Sequence, residues 1–501
     1  MNGQARTLAY FESMTGDMYK ADDYLVRLKA VTPDDIMSAA GRCLTSGNLS
    51  IGVMMPEGTK IMISEDDVAG LFSSKSAQYD HKTVKSSERS EGETTKVVLP
   101  NGIRLIIKEN HRLPLASVRA VFLGGTRLEG SGKAGISGFT AKMLTKGTET
   151  RSASEIASTV ESWAGEIGGF SGRNSFGLSA EFLSNDLSNG LELMADLILN
   201  SSFPEDEITK VRKDILMDIK TKNDDPENQL ADLFYKTLYH EHPYGHPATG
   251  TEEGINSIER SDLLKWYKSL AVPSNMVITV AGDVIKEDFI KKIKELFQGI
   301  ESPDFTAPDV LPEPRLEGVR EVHADRQGEQ VHIMIGYLDA GLKSRDNAVM
   351  TLVDTALSGQ GGRLFTELRD KQSLAYSLSS LRSPGLETGA FAVYLACEPE
   401  KLKTAKEALF RELDKIKEGG LSDQELDDAK RYVSGNDAIA YETNGSQATR
   451  MALDELYGLG YDHYVRFNKE IKEVTTEDIK ETLGRILIPD GYVLVTVGPT
   501  H

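Results

Sequence analysis

Residues 31–44 read Val-Thr-Pro-Asp-Asp-Ile-Met-Ser-Ala-Ala-Gly-Arg-Cys-Leu, and residues 474–487 read Val-Thr-Thr-Glu-Asp-Ile-Lys-Glu-Thr-Leu-Gly-Arg-Ile-Leu. Val31-Thr32, Asp35-Ile36, Gly41-Arg42 and Leu44 fall on Val474-Thr475, Asp478-Ile479, Gly484-Arg485 and Leu487 without a gap. Working outward at the same offset of 443, Gln4-Ala5 meets Gln447-Ala448, Ala9 meets Ala452, Glu12 meets Glu455 and Pro56 meets Pro499. Both copies read as a helix, a second helix capped by Thr32 or Thr475, and a closing apolar strand (Leu49 to Met54; Tyr492 to Val497). A fainter copy sits at an offset of 227, where Ile258 to Leu263 repeats Val31 to Ile36, Asn275 repeats Asn48, and Met276 to Val280 is again a strand. Fixed-period self-similarity is the mark of a tandem array.

Domain ends therefore fall near 56, 284 and 499, and the first domain is represented only by its last quarter. The expectation is an array whose N-terminal part is cut off or encoded elsewhere. Residues 61–92 are expected to be a linker; around 73–95 the chain is rich in Ser, Lys and Glu with no apolar period. Residues 301–316 hold four prolines and read as an extended strap. The expected organisation is a remnant at 1–60, a complete domain at 93–300 and a second at 317–501. In the first, strands are expected at Lys96–Leu99, Arg104–Lys108 and Ala116–Leu123. Helices are expected at 135–146, at 153–164 behind a Ser152/Glu155 capping box, at 185–200, and at 204–222 with Pro204 in the first turn. Strand runs followed by helix runs point to an α+β fold of tandem domains, each a mostly antiparallel sheet with helices on one face.

Composition narrows the function classes. A net charge of -20 argues against nucleic acid, whose phosphates need clustered Lys and Arg. No run approaches the ~20 apolar residues of a membrane span. Cys43 and Cys397, the two cysteines, exclude a disulfide framework and a Cys-rich metal site, and they leave the compartment open between bacterial periplasm and cytoplasm. The N-terminus lacks the apolar core of a signal peptide. His240-Glu-His242-Pro-Tyr-Gly-His246 is dense in histidine, but Pro243 and Gly245 make it a turn rather than a ligand helix.

Asn101-Gly-Ile-Arg-Leu, His111-Arg-Leu-Pro, Gly124-Gly-Thr-Arg-Leu-Glu-Gly and Lys133-Ala-Gly-Ile-Ser-Gly-Phe-Thr-Ala-Lys-Met-Leu-Thr-Lys-Gly-Thr resemble the opening of a pitrilysin/insulinase-family peptidase domain. That family's active helix carries the inverted zinc motif His-x-x-Glu-His. Positions i and i+4 of a helix share a face, so two imidazoles reach one metal, with the Glu between them as general base. In this register the first His is replaced by Gly138, the Glu by Ala141 and the second His by Lys142. The family's third ligand, a downstream Glu, falls on Asp218, and a supporting Glu falls on Val211. Glycine and alanine offer no donor, and a Lys ammonium would repel Zn²⁺. On its own pattern, 135–146 is an amphipathic helix with Ile136, Phe139, Met143 and Leu144 turned inward.

The run from Gly359 to Tyr376 (Gly-Gln-Gly-Gly-Arg-Leu-Phe-Thr-Glu-Leu-Arg-Asp-Lys-Gln-Ser-Leu-Ala-Tyr) resembles the family's C-terminal signature, and its Arg/Tyr pair is present as Arg369 and Tyr376. The resemblance covers nearly the whole chain. It implies a four-domain clamshell in which this pair contacts the substrate carbonyl across the chamber. This chain would then be the non-catalytic half of a zinc endopeptidase acting on unfolded peptides. It would have no cofactor of its own, with zinc in a missing or partner half. Two other readings compete: a structural or binding subunit with no part in proteolysis, and an autonomous peptidase with another metal site.

Overall fold

The computed structural model describes residues 2–44, 93–301, 303, 305–359 and 361–499. The expected strand at 49–54 and linker at 61–92 lie outside them. The chain divides into two compact units, Met1–Lys85 and Ser86–His501.

The first unit holds the helices Asn2–Thr15, Lys20–Lys29 and Pro33–Cys43. The last is opened by a reciprocal box: Asp35 Oδ2 accepts from the Thr32 amide at 2.9 Å, while Thr32 Oγ1 accepts from the Asp35 amide. The same box recurs with Thr475 and Asp478 ahead of the helix Thr476–Ile486. Asp262 takes the Glu259 amide in the same way ahead of Arg260–Leu270. Each box satisfies amides that a helix start leaves without partners. The three helices are 11 residues each and stand at the two offsets seen in the sequence. Their surroundings differ. Ile479 and Leu483 are fully buried, whereas none of residues 5–44 is buried and the matching Ile36 is 60% exposed.

The second unit carries two sheets. Strands β1 (Thr95–Val98), β2 (Arg104–Glu109), β3 (Leu115–Leu123), β4 (Glu166–Ser171), β5 (Ser175–Leu183) and β6 (Met276–Gly282) lie in the order β1-β2-β6-β3-β5-β4. Strands β7 (Arg320–Asp325), β8 (Val331–Asp339), β9 (Ser377–Ser383), β10 (Gly389–Cys397) and β11 (Val493–Gly498) lie in the order β7-β11-β8-β10-β9. One pair in each sheet is parallel, β2–β6 and β7–β11, and the other pairs are antiparallel. The fold is α+β, as the strand and helix runs imply. The helices Ala153–Ser162, Leu187–Leu199 and Glu205–Asn223 form where capping and apolar spacing place them. The helix expected at 135–146 is shorter, Ile136–Met143, and Pro204 stands just before Glu205 rather than inside the helix.

Helices pack on one face of each sheet, and the opposite faces hold what the sequence reading lacks. Ile106, Val121, Val277 and Ala281 of the first sheet are covered by Ala448, Met451, Ala452 and Leu456 of the helix Asn444–Leu456. Met334, Ala390, Ala392, Val493, Val495 and Val497 of the second are covered by Leu230, Phe234 and Leu238 of Pro226–Leu238. Each half thus lends a helix to the other's sheet. This explains why β6, β10 and β11 are apolar at nearly every position instead of alternating. The second contact depends on Gly336, where an added Cβ would stand 2.4 Å from the Phe234 ring.

Polar bonds secure the same seam. Arg127 forks onto Glu387, with Nε 2.9 and 3.0 Å from the two carboxylate oxygens, a planar match that favours arginine. Glu313 accepts the amides of His240, Glu241 and His242 at 2.8–3.0 Å.

Candidate functional site

The helix Ile136–Met143 begins at Gly135, which adopts φ 99°, a backbone state open mainly to glycine. Glu129, from the run resembling the family's opening, anchors it: the carboxylate accepts from the Gly135 amide at 2.8 Å and from the Ser137 amide at 2.9 Å. Burial pushes the Glu129 carboxyl up to about 7, against the pull of those two donors. The folded state therefore holds this proton more tightly than the unfolded chain, whose glutamates titrate near ~4.3. Stability should rise as pH falls from about 8 toward 5, by up to roughly 3 kcal/mol for a shift of this size. Burial raises Asp454 to about 7 too, and it contributes with the same sign. Burial lowers the pKa of His246, His332 and His463, which act with the opposite sign over this range. The check is therefore a difference: thermal melts of Glu129→Gln should gain less stability on acidification than the parent, and identical pH slopes for the two would refute the assignment.

Along this helix Ile136, Phe139, Met143 and Leu144 are buried, as an amphipathic helix requires. Gly138 has room for a side chain: a Cβ there would meet nothing nearer than the Ala248 carbonyl at 3.8 Å. Ala141 is buried beneath β4, and Gly169 on that strand comes so close that a Cβ would lie 1.8 Å from the Ala141 carbonyl oxygen. The site helix and the edge strand of the first sheet are thus pressed together. Lys142 Nζ meets Asp218 Oδ2 at 3.0 Å, linking this helix to Glu205–Asn223. Both side chains are about half exposed, so the pair adds little stability, about 0–1 kcal/mol. Val211 is packed in the core with Ile208 and Ile215. The residues expected in the metal register therefore supply two positions without donors, one ammonium and one carboxylate already taken by that ammonium. They do not fit a zinc ion, and among the described residues no group of three His, Cys, Asp or Glu side chains converges as a metal-holding set.

Arg369 and Tyr376 lie in the second half, around a strained turn. The chain widens to a π-helical stretch over Phe365–Asp370, a form often kept where function needs it. Arg369 is exposed, its guanidinium stacked 4.5 Å from the Phe365 ring centre. Ser373 takes φ 52° and returns the chain to Tyr376, which leads into β9, the edge strand of the second sheet. Tyr376 is 55% exposed, and its hydroxyl donates to Glu398 Oε1 at 2.6 Å. That bond to a carboxylate holds the phenol above its ordinary pKa. Glu398, just past β10, escaped the sequence reading because strand pairing alone brings it to Tyr376.

The histidine-rich turn is structural. His242 is buried with its Nδ1 accepting from the Tyr244 amide, and its Nε2 stands 3.6 Å from Glu387. Tyr244 donates to Asn174 and accepts from the Leu386 amide at 3.1 Å, tying the turn to both halves.

Residues 104–252 match the family model for insulinase (peptidase family M16), and residues 257–433 match that for the peptidase M16 inactive domain. The chain is 30% identical over 429 residues to an uncharacterized zinc protease of Mycobacterium leprae, covering 83% of this chain and 94% of the relative. An uncharacterized zinc protease of Bacillus subtilis is 28% identical over 408 residues, covering 80% and 97%. Among solved structures, the peptidase M16 inactive domain from Pseudomonas fluorescens superposes with a TM-score of 0.75 at 23% identity, over 82% of this chain and 98% of that one. A protease from Helicobacter pylori superposes at 0.76 and 21% identity, over 81% and 100%.

Proposed function

The chain belongs to the insulinase family of peptidases, peptidase family M16, and from that premise we propose that it is the non-catalytic half of a two-part zinc endopeptidase. The observation that carries this reading is the Lys142–Asp218 ion pair, a cation of the protein's own standing in the metal register. The division into a remnant at 1–60, a metal-silent domain at 93–300 and an Arg/Tyr-bearing domain at 317–501 belongs to the same proposal. In it, unfolded peptides are enclosed between this chain and a homologous His-x-x-Glu-His-bearing half, in the same polypeptide or a separate subunit. The exposed Arg369 and Tyr376 face the substrate. A guanidinium and a phenol directed at a carbonyl oxygen stabilise the negative charge that grows there during hydrolysis. Among the described residues β4 and β9 end their sheets, and such edges suit a substrate that adds as a strand.

One observation favours a second reading, a binding subunit without a part in hydrolysis: the Tyr376 hydroxyl is already committed to Glu398. The test is reconstitution. Purified alone, the chain should bind less than a tenth of an equivalent of zinc by elemental analysis and should not cleave an unfolded peptide. Mixed with the His-x-x-Glu-His-bearing half, it should raise chelator-sensitive cleavage well above that half alone. Stoichiometric zinc with cleavage by this chain alone would overturn the proposal, and a mixture no more active than the zinc half would leave only the binding role.

A further inference from the structure

The repeat, laid on the structure, gives the Asn2–Thr15 helix a template. Its counterpart Asn444–Leu456 caps the outer face of the first sheet through Ala448, Met451 and Ala452, with Leu453, Tyr457 and Tyr461 at the margin. At an offset of 443 these six positions are Ala5, Leu8, Ala9, Tyr10, Met14 and Met18, apolar or aromatic at each, while Leu456, which also covers the sheet, corresponds to Ser13. Glu455, which receives Lys96 Nζ at 2.5 Å and whose carbonyl accepts from Arg104, corresponds to Glu12. In the first unit this whole stripe is exposed: Leu8 by 42%, Tyr10 by 58% and Met14 by 66%.

The departure that adds a charge to this face bears on the occupant. Arg119 of β3 donates from Nε to Thr449 Oγ1 at 2.9 Å, and its guanidinium also reaches the Gly445 carbonyl. The residue matching Thr449 is Arg6. A helix bearing Arg6 on a sheet bearing Arg119 would set two guanidiniums beside one carboxylate, that of Glu181 at 3.5 Å from Arg119, in a site where Arg119 is already largely buried. We propose that the Asn2–Thr15 helix is a sheet-capping surface for a domain of this same fold. Its occupant is the outer sheet face of the homologous half, with an acid or neutral acceptor in place of Arg119, and not the first sheet of a second copy of this chain. The inference rests on the half-peptidase reading for the occupant's identity, but not for its first test.

That test transplants the face within the full chain. Met451→Leu with Leu453→Tyr, which writes in Leu8 and Tyr10, should leave the melting temperature within about 4 °C of the parent. Adding Thr449→Arg should lower it by a further ~5 °C or more, and Arg119→Glu in that background should recover at least half the loss. A Thr449→Arg variant as stable as the parent, or collapse of the Leu/Tyr pair alone, overturns the proposal. In light scattering the full chain should be a monomer at micromolar concentration, and a dimer dissociated by Leu8→Asp would mean a second copy is the occupant. Mixed with the His-x-x-Glu-His-bearing half, the amides of Ala5–Met14 should gain at least tenfold protection from hydrogen exchange; a stable complex without it also overturns the proposal. The stability series needs no partner, so its failure is distinct from failure of the functional reading.

Discussion

Replacing Arg369 with alanine, or removing only the Tyr376 hydroxyl with phenylalanine, is expected to lower peptide turnover of the reconstituted peptidase by about 10²–10³-fold in each case, with zinc content unchanged. The size follows from the role. A donor held toward the oxygen of a reacting carbonyl acts on charge present only in the transition state, and losing one such donor costs ~2.7–4 kcal/mol of barrier. Neither side chain supports the fold enough to confuse the result. Arg369 stacks on Phe365 at the surface, and Tyr376 is more than half exposed with its hydroxyl bonded to Glu398. The loss should fall on kcat with little change in KM, since uniform binding is not what these groups supply. Turnover unchanged in both variants would assign the pair to the surface and favour the binding-subunit reading.

The largest stability effect should come from Arg382. It leaves β9 and enters the core of the second half, with its side chain 5% exposed and that of Asp339 fully buried. Nε meets Asp339 Oδ2 at 2.5 Å, and Nη1 donates to the Asn347 carbonyl, to Asn347 Oδ1 at 2.8 Å and to Thr351 Oγ1 at 3.0 Å. The group ties β8, β9 and the helix Asp346–Leu357 together. Arg382→Leu strands a carboxylate out of water, which costs about 3–5 kcal/mol when one partner of a buried pair is lost. Calorimetry should therefore show a fall in melting temperature of roughly 6–20 °C. The double variant Asp339→Leu/Arg382→Leu should be more stable than the single one, because no charge remains uncompensated. The pH dependence gives an independent check. Burial raises the Asp339 pKa and Arg382 holds it down. Without the arginine the folded pKa rises further, so the single variant should regain stability as pH falls, and more steeply than the parent. A single variant as stable as the parent would contradict this account.

Most of the individual helices were legible because their starts are written in a few residues. Thr32 with Asp35, Ser152 with Glu155 and Thr475 with Asp478 each close a local box that needs no distant partner. The chemistry of Gly138 and Ala141 is equally local, since a side chain without a donor atom cannot bind metal wherever the chain goes. The histidine-rich turn was read as a turn for the same kind of reason, from Pro243 and Gly245. Nothing in its local sequence gives Glu129 a role, and only the folded chain aims its carboxylate at the Gly135 and Ser137 amides.

The sequence alone therefore determined the α+β pattern and the repeat offsets, and within the register that the family resemblance implies it put residues without metal donors at 138 and 141. What the tertiary structure decided is pairing across hundreds of residues. Met451 comes to share a buried cluster with Val277, and Phe234 comes to lie in the space left by Gly336. Lys142 meets Asp218, Tyr376 meets Glu398, and Arg382 meets Asp339. An apolar run states that a strand is buried on both faces but not which helix covers it, because burial has no direction until the layers are stacked. The same holds for charge. Asp218 in the sequence is a carboxylate without a stated partner, and only the packing of two helices makes it the counter-ion of Lys142.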